Sequence, residues 1–583
     1  MTEPRESAAP EFAGHPSERL GVHVTGGVIR GVRENGTLAW RGIPYAAPPI
    51  GPLRFRAPQP VEPWDGVLDC TRYGKVAPQI HKGQFRGAPP TVPSGEDCLT
   101  INVHCPAVPY RKRRGMPVMV FIHGGGYSTG GSVGFTGQGN EFVRSGRVIY
   151  VSFNYRLGAL GYLDFRRYAT PDRPIDANLG LRDQVAALQW VRHNIRAFGG
   201  NPYSVTLCGE SAGANSVVSL MATPSAQGLF ARAIAQSPPA DAAYAADLTA
   251  TWAEEFIDDL RAVRARPAPV VPVLSSRAAR HPGHEASGSG GLVDLVQSAV
   301  PKAAALPPAA RPSKVGALHA DSPGPVAGTL TPLELLTTST AGDLTLACLA
   351  LQIRTPNAYP GTFCLAPVVD GDFLPERPLD AFRSGRAHPV PLIIGTNDRE
   401  GSIFRGRADV LPQTSGRIHA MFKQAPELAH PAMRAAYPDL PGQRAASDFG
   451  GDYAFWFPSV RTAELHSRRA RVHFYRFDNA PRLMHLLGLD ATHGIELYAL
   501  FSLVRTPTTR TATVLGGREP FASAGERMRR HWLHFACTGT VDATWPAYDE
   551  SDRLTLIIDQ VDRIEADPRG DRRAAWNDFR PGL

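Results

Sequence analysis

The chain has 583 residues, of which 43% are hydrophobic and 20% charged, and its formal net charge at pH 7 is +8. This length provides a large core and is long for one domain, although large α/β enzymes reach it. The basic residues are spread along the chain. The one dense basic run, at 111–114, lacks interleaved aromatic residues, so we interpret it as a solvated loop and expect no nucleic-acid partner.

The seven cysteines form no CxxC pair and no cluster with histidine, so we expect no zinc site. Their odd, low number favours a reducing compartment. Residues 1–19 are polar and lack the apolar core of a secretory signal. No run approaches the about 20 apolar residues of a membrane span. We therefore predict a cytoplasmic protein that begins with a flexible leader over residues 1–19.

Apolar strands alternate with a helical pattern in the first half of the chain. Strands are predicted at 117–122, 148–153 and 204–208, and a helix at 181–197 that ends at Gly199-Gly200. Further strands are predicted later in the chain, at 391–395, 472–475 and, as an edge strand, 554–558. This alternation predicts an α/β fold with a mostly parallel central sheet that helices cover on both faces.

Residues 264–328 have a different composition, in which proline, alanine, serine and glycine dominate. Such a segment buries too little apolar surface to fold by itself. We predict a single domain over 20–583 that carries this segment as a disordered, low-complexity surface insertion.

Two glycine-rich motifs follow predicted strands. His123-Gly124-Gly125-Gly126 comes after the strand at 117–122, and its consecutive glycines let backbone N–H groups approach a carbonyl oxygen closely. Gly209-Glu210-Ser211-Ala212-Gly213 lies between a strand and a small-residue helix, and it matches the G-x-S-x-G turn that exposes a nucleophilic serine. The amides at the start of that helix can stabilise an oxyanion.

A serine hydroxyl needs a base in hydrogen-bond reach and a carboxylate that orients the base. In hydrolases with this turn, the chain order is serine, acid, histidine. Asp398 and Glu400 follow the strand at 391–395, and both can be the acid. His493 lies in a loop that leads into a helix and is a candidate base. Spacing alone does not separate it from its rivals, which are His485, His531 and His534.

The chain resembles the type-B carboxylesterase/lipase family, which includes the cholinesterases, from about residue 20 to 576 with 264–328 outside the match. The resemblance rests on these motifs: Gly42-Ile43-Pro44-Tyr45-Ala46 with Leu53-Arg54-Phe55, Glu96-Asp97-Cys98-Leu99, His123-Gly124-Gly125-Gly126, Asn154-Tyr155-Arg156-Leu157-Gly158, Phe198-Gly199-Gly200-Asn201-Pro202, the Ser211 turn, Pro367-Val368-Val369-Asp370-Gly371 and Trp545-Pro546-Ala547-Tyr548.

The resemblance implies an α/β-hydrolase fold and a serine carboxylic ester hydrolase that acts on a small-molecule ester through an acyl-enzyme, without metal or organic cofactor. It assigns the following roles: Ser211 as nucleophile, Glu400 as acid and His493 as base; the amides of Gly125, Gly126 and Ala212 as oxyanion hole; Glu210, Ser237 and Glu496 as residues that orient the triad; and Arg54, Glu96 and Arg156 as a buried ion-pair cluster.

The chain also departs from the family pattern. Ala77 stands where secreted relatives have the cysteine that pairs with the equivalent of Cys98, so we expect Cys98 to be unpaired unless Cys70 replaces that partner. The loop at 80–95 has no tryptophan to hold a quaternary ammonium, so a choline ester is not expected. Pro238-Pro239 follows Ser237 where relatives have glycine, which changes the wall of the acyl pocket.

Two alternatives stay open at this level. One is an amidase or carbamate hydrolase that uses the same site, since substrate choice depends on the pocket walls. The other is a non-catalytic interaction protein with the esterase fold. The sequence does not predict the oligomeric state.

Overall fold

The computed structural model describes residues 20–81, 88–89, 91–107, 115–265, 330–406, 408–503 and 507–581. The predicted leader at 1–19 and the basic run at 111–114 lie outside the described residues. So does the predicted insertion, except for its first two residues.

The strands are β1 Gly21–Val24, β2 Gly27–Arg30, β3 Val32–Glu34, β4 Thr37–Pro44, β5 Val67–Asp69, β6 Thr100–Pro106, β7 Met116–Ile122, β8 Ile149–Phe153, β9 Gly200–Glu210, β10 Arg232–Gln236, β11 Tyr244–Ala245, β12 Val368–Val369, β13 Leu392–Asn397, β14 Val472–Phe477, β15 Leu554–Ile558 and β16 Arg563–Ala566.

The α-helices are α1 Phe135–Gln138, α2 Asn140–Arg144, α3 Ala159–Tyr162, α4 Leu179–Asn194, α5 Ala212–Met221, α6 Ala246–Arg264, α7 Pro332–Thr338, α8 Ala341–Ala358, α9 Pro378–Ser384, α10 Ser415–Gln424, α11 His430–Ala436, α12 Gln443–Gly451, α13 Phe457–Ser467, α14 Arg482–Leu486, α15 Ile495–Leu500, α16 Pro507–Ala512, α17 Arg518–Thr538 and α18 Gly570–Asp578. A 3-10 turn, Glu400–Phe404, follows β13.

In the described ranges, the largest sheet has eleven strands, in the order β16-β15-β14-β13-β10-β9-β7-β8-β6-β4-β3. From β8 to β15 every neighbouring pair is parallel, and the strands at both ends pair antiparallel. The predicted mostly parallel sheet is therefore confirmed. The strand at 554–558 is predicted as an edge strand, and that prediction is wrong because the charged segment β16 pairs along its outer side.

Side chains of the central strands alternate between two cores. In β7, every residue is buried; Val118, Val120 and Ile122 join one apolar cluster, and Met119 and Phe121 join the other. Helices α4, α5 and α6 contribute to the first cluster and α17 to the second. This burial on both faces explains why the central strands are continuous apolar runs.

Two ion pairs, one partly buried and one almost fully buried, connect loops to this frame. Arg54 Nε donates to Glu96 Oε2 over 2.7 Å, as the predicted cluster requires. Arg156 does not join that pair. It donates to both carboxylate oxygens of Asp183 on α4, over 2.6 and 2.8 Å, and both side chains are almost fully buried. The predicted three-residue cluster is thus two separate pairs. An amphipathic helix gives no sign in the sequence that one of its aspartates faces inward.

All seven cysteines are free thiols, including Cys98 and Cys70. In the described ranges, no helix is long and apolar enough to cross a membrane, and no group of three or more histidine, cysteine or acidic residues is arranged to hold a metal.

Candidate active site

Ser211 stands on a sharp turn between β9 and α5. Its backbone has φ 58° and ψ −125°, a conformation that costs free energy for a residue with a side chain. A Cβ on Gly209 would lie 2.4 Å from the carbonyl oxygen of Gly213, and one on Gly213 would lie 2.1 Å from that of Ile122. Both glycines of the predicted motif are therefore needed for the close approach of neighbouring backbone.

The glycine run after β7 lies beside this turn. A Cβ on Gly124 would come within 3.0 Å of the Ser211 Cβ, so the two segments are in contact. Gly125 and Gly126 have φ values of 112° and 59°, in the region that favours glycine. The backbone amides of these two residues and of Ala212 donate no hydrogen bond to another backbone group in the part of the chain that the structure describes. These three N–H groups are therefore available as hydrogen-bond donors.

Glu400 and His493 meet although 93 residues separate them. His493 Nδ1 donates a hydrogen bond to Glu400 Oε2 over 2.5 Å, and Glu400 is only 3% exposed. The other oxygen of Glu400 accepts hydrogen bonds of 2.6 Å from Ser237 Oγ and from the backbone N–H of Asn397. One oxygen of this carboxylate therefore binds the imidazole, and the other is fixed by two hydrogen-bond donors.

The rival residues make other contacts. Asp398 accepts a hydrogen bond from Arg569 Nη2 over 2.6 Å. His485 is half exposed and pairs with Asp490, and His531 packs edge-on against Trp545. His534 lies close to Thr540 Oγ1. The geometry therefore favours Glu400 and His493 as the acid and the base.

The second nitrogen of His493 faces the Ser211 turn. Nε2 lies 3.4 Å from Oε1 of Glu210, the residue before the serine, and this buried nitrogen has no hydrogen-bond partner in the described chain. The imidazole also packs against Phe455 and Phe404, with ring centroids 4.3 and 5.3 Å away. Both phenylalanines line one pocket together with Ser211. The imidazole therefore lies beside the residues that line this pocket, and Nε2 is its unpaired nitrogen.

Three buried glutamates surround the imidazole. Burial raises the pKa of Glu210 to about 7. Burial, followed by the charges of Glu210 and Glu400, raises the pKa of Glu496 above its ordinary value. Burial alone would lower the pKa of His493, but the carboxylates of Glu400 and Glu210 outweigh it and raise that pKa above its ordinary value. The site therefore stabilises an imidazolium, which is the state that a base reaches when it accepts a proton.

The residues predicted to orient the triad occupy this neighbourhood. Ser237, at φ 51°, contacts Glu400, and Glu210 lies beside His493. Glu496 accepts hydrogen bonds from Asn397 Nδ2 and Gln236 Nε2 over 2.6 and 3.2 Å, and its charge also acts on the imidazole. The sequence did not single out Asn397 and Gln236. Both are polar residues at the carboxyl ends of neighbouring parallel strands, and this position is the sequence feature that could have identified them.

The pocket at Ser211 is mainly apolar. No side chain that is charged at pH 7 is among its lining residues in the described chain. Pro239, from the predicted acyl-pocket wall, is one of them. The lining residues are Gly126, Tyr127, Ser211, Ala212, Pro239, Ala242, Gln352, Thr355, Pro356, Thr362, Phe363, Cys364, Leu365, Phe404, Val410 and Phe455.

Comparisons with known proteins agree on one family. The model of the carboxylesterase family matches residues 18–279 and 325–576. The chain is 32% identical to para-nitrobenzyl esterase from Bacillus subtilis over 94% of this chain and 96% of the relative. It is 29% identical to acetylcholinesterase from Bungarus fasciatus, over 97% and 87% respectively.

Solved structures give the same picture. A PNB esterase superposes with a TM-score of 0.72 at 30% identity, over 95% of this chain and 99% of that one. The carboxylesterase EST55 from Geobacillus stearothermophilus superposes with a TM-score of 0.71 at 28% identity, over 96% and 100%.

Proposed function

Because the chain belongs to the carboxylesterase family and is therefore a serine carboxylic ester hydrolase, we propose that Ser211, His493 and Glu400 form its catalytic triad. Its fold is the α/β-hydrolase fold, as the sequence predicts. The observation that carries the proposal is the buried Glu400–His493 hydrogen bond, which leaves Nε2 of the imidazole unpaired beside the Ser211 turn.

In the proposed acylation step, Ser211 Oγ attacks the carbonyl carbon of the ester, and its proton passes to His493 Nε2. Glu400 stabilises the imidazolium through Nδ1. The backbone amides of Gly125, Gly126 and Ala212 hold the oxyanion of the tetrahedral intermediate. When this intermediate collapses, the bond to the alcohol oxygen breaks, and the imidazolium gives its proton to the leaving alcohol.

In the proposed deacylation step, a water molecule attacks the acyl-enzyme. Its proton passes to His493 Nε2, and the same amides hold the second oxyanion. The bond between the acyl carbon and Ser211 Oγ then breaks, and the serine recovers its proton from the imidazolium. Each turnover consumes one water and releases one alcohol and one carboxylic acid. No step requires a cofactor.

The substrate class that we propose is a neutral ester with an aromatic or other apolar group. Phe363, Phe404 and Phe455 provide apolar walls, and the lining has no charged partner for an ionised substrate. One relative is named for an aromatic ester, the para-nitrobenzyl ester, and the same class suits these walls.

A matched pair of esters tests this substrate class. We expect kcat/KM for methyl 4-acetoxybenzoate to exceed that for the 4-acetoxybenzoate anion about 100-fold, because a carboxylate entering this pocket would lose its hydration without gaining a partner. Both rates are measured at pH 7.5 and divided by the hydroxide-catalysed rate of the same ester. Equal corrected values, or a preference for the anion, would contradict a neutral substrate.

We also propose that the protein acts in the cytoplasm. The proposal is supported by its seven free thiols, six of which are buried in the core. Fractionation of the native cells, followed by immunoblotting, should find the protein with cytosolic markers. Its recovery in the medium or the periplasm would contradict this location.

A further inference from the structure

Two amide side chains hold the carboxylate of Glu496. Asn397 ends β13 and Gln236 ends β10, and the two strands are parallel neighbours. Asn397 Nδ2 donates to Glu496 Oε2 over 2.6 Å, and Gln236 Nε2 donates to Oε1 over 3.2 Å. Trp532 Nε1 fixes the Gln236 amide by donating to its oxygen over 3.2 Å. Each oxygen of this fully buried carboxylate thus has one donor.

Asn397 makes a second contact that Gln236 does not make. Its backbone N–H donates to Glu400 Oε1 over 2.6 Å, while its side chain reaches Glu496. One residue therefore holds both the triad acid and a further carboxylate on the helix that follows His493. Asn397 is fully buried, and its Oδ1 has no hydrogen-bond partner in the described chain. The amide keeps this unpaired oxygen because its nitrogen must face the carboxylate.

We propose that Asn397 is a positioning residue for ester hydrolysis: its backbone N–H and its side-chain amide hold Glu400 and Glu496 in fixed places, so that both carboxylates act on His493. The proposal rests on the proposed function, in which His493 is the base. Asn397 touches neither substrate nor reacting atoms and acts through the two carboxylates.

The titratable groups around Glu496 determine the direction of the effect. They are Glu210 at the end of β9, Glu400 after β13, Tyr475 in β14 and His493 before α15. The Asn397 amide donates to Glu496 and so stabilises its charged form. Without this donor, Glu496 keeps its proton to higher pH, less negative charge surrounds His493, and the imidazolium is less stable.

The test is the pH dependence of kcat/KM, whose acidic limb reports the base in the free enzyme. In Asn397→Leu, we expect the midpoint of this limb to move to lower pH by about 0.5 unit. We also expect a loss of about tenfold in kcat, because the transition state carries the imidazolium. A residue that merely stabilised the fold would change yield or melting temperature and leave the midpoint in place.

The same substitution in a Glu496→Gln background isolates the route of the effect. Glu496→Gln alone should lower the midpoint, and adding Asn397→Leu should then shift it no further, since the charge that Asn397 stabilises is already gone. The control is Thr396→Val, one residue earlier in β13. Thr396 is fully buried and its hydroxyl has no partner in the described chain, so this variant should keep the wild-type midpoint.

An unchanged midpoint in Asn397→Leu, or an equal shift with and without Glu496, would overturn the inference. If Asn397→Leu does not fold, Gln236→Leu removes the other donor to Glu496 and decides: a fall of its midpoint supports the inference, and no change overturns it. These outcomes are distinct from failure of the proposed function, which would appear as full activity in Ser211→Ala.

Discussion

Replacement of Ser211 by alanine is expected to lower kcat/KM for p-nitrophenyl acetate by about 10⁴- to 10⁶-fold, because no other group can form the acyl-enzyme at this turn. The fold should be unaffected. Alanine keeps the Cβ of serine, so the left-handed backbone at φ 58° is no more strained than before. The melting temperature and the circular dichroism spectrum should match those of the wild type.

Ser219→Ala is the matched control for this change. Ser219 lies on α5, the helix that follows Ser211; it is fully buried, and its hydroxyl has no hydrogen-bond partner in the described chain. Ser219→Ala removes the same hydroxyl group about two helical turns from Ser211. We expect kcat/KM within about twofold of wild type. Wild-type activity in Ser211→Ala, with Ser219→Ala equally active, would remove Ser211 from the mechanism.

Replacement of Glu400 by glutamine is expected to lower kcat/KM by about 10⁴-fold. Ser237 Oγ and the Asn397 N–H both donate to Oε1, so this position must stay an oxygen. The new amide group then occupies the position of Oε2 and donates to Nδ1 of His493. The imidazole is forced into the tautomer that carries its proton on Nε2, where it cannot accept the proton of the serine.

Two further variants separate charge from shape and the acid from its rival. Glu400→Asp keeps a carboxylate on a shorter side chain and should retain far more activity than the isosteric glutamine variant. Asp398→Asn alters the neighbouring carboxylate, which contacts Arg569, and should keep kcat/KM within about threefold of wild type. The reverse order, with Asp398→Asn the more damaging change, would transfer the role of acid to Asp398. All rates are measured on p-nitrophenyl acetate at pH 7.5.

Local patterns in the sequence predict much of the sheet and the Ser211 turn. The buried strands are continuous apolar runs, and the turn needs Gly209 and Gly213 because backbone carbonyls lie within 2.4 Å of any added Cβ. Such constraints act on neighbouring residues, so they restrict which residue types can occur at that point of the chain. The edge strand β16 has no such sequence pattern, because it is short and contains charged residues.

The choice of acid and base depends on contacts between distant segments. Asp398 and Glu400 are two residues apart and chemically alike, and only the fold turns one to Arg569 and the other to His493. The family resemblance, not the spacing, selected Glu400. The same limit applies to Asp183 and Asn397. The role of each depends on a hydrogen bond to a residue from a distant part of the chain, and local sequence does not predict such a contact.

We propose Ser211 as the nucleophile of this serine ester hydrolase, and covalent labelling decides whether that proposal is right. The wild-type protein is incubated with a fluorophosphonate, its mass is measured intact, and the modified peptide is sequenced. We expect one adduct per chain, located on Ser211, together with loss of esterase activity, and no adduct in Ser211→Ala. An adduct on another residue, or equal labelling of the alanine variant, would contradict the claim.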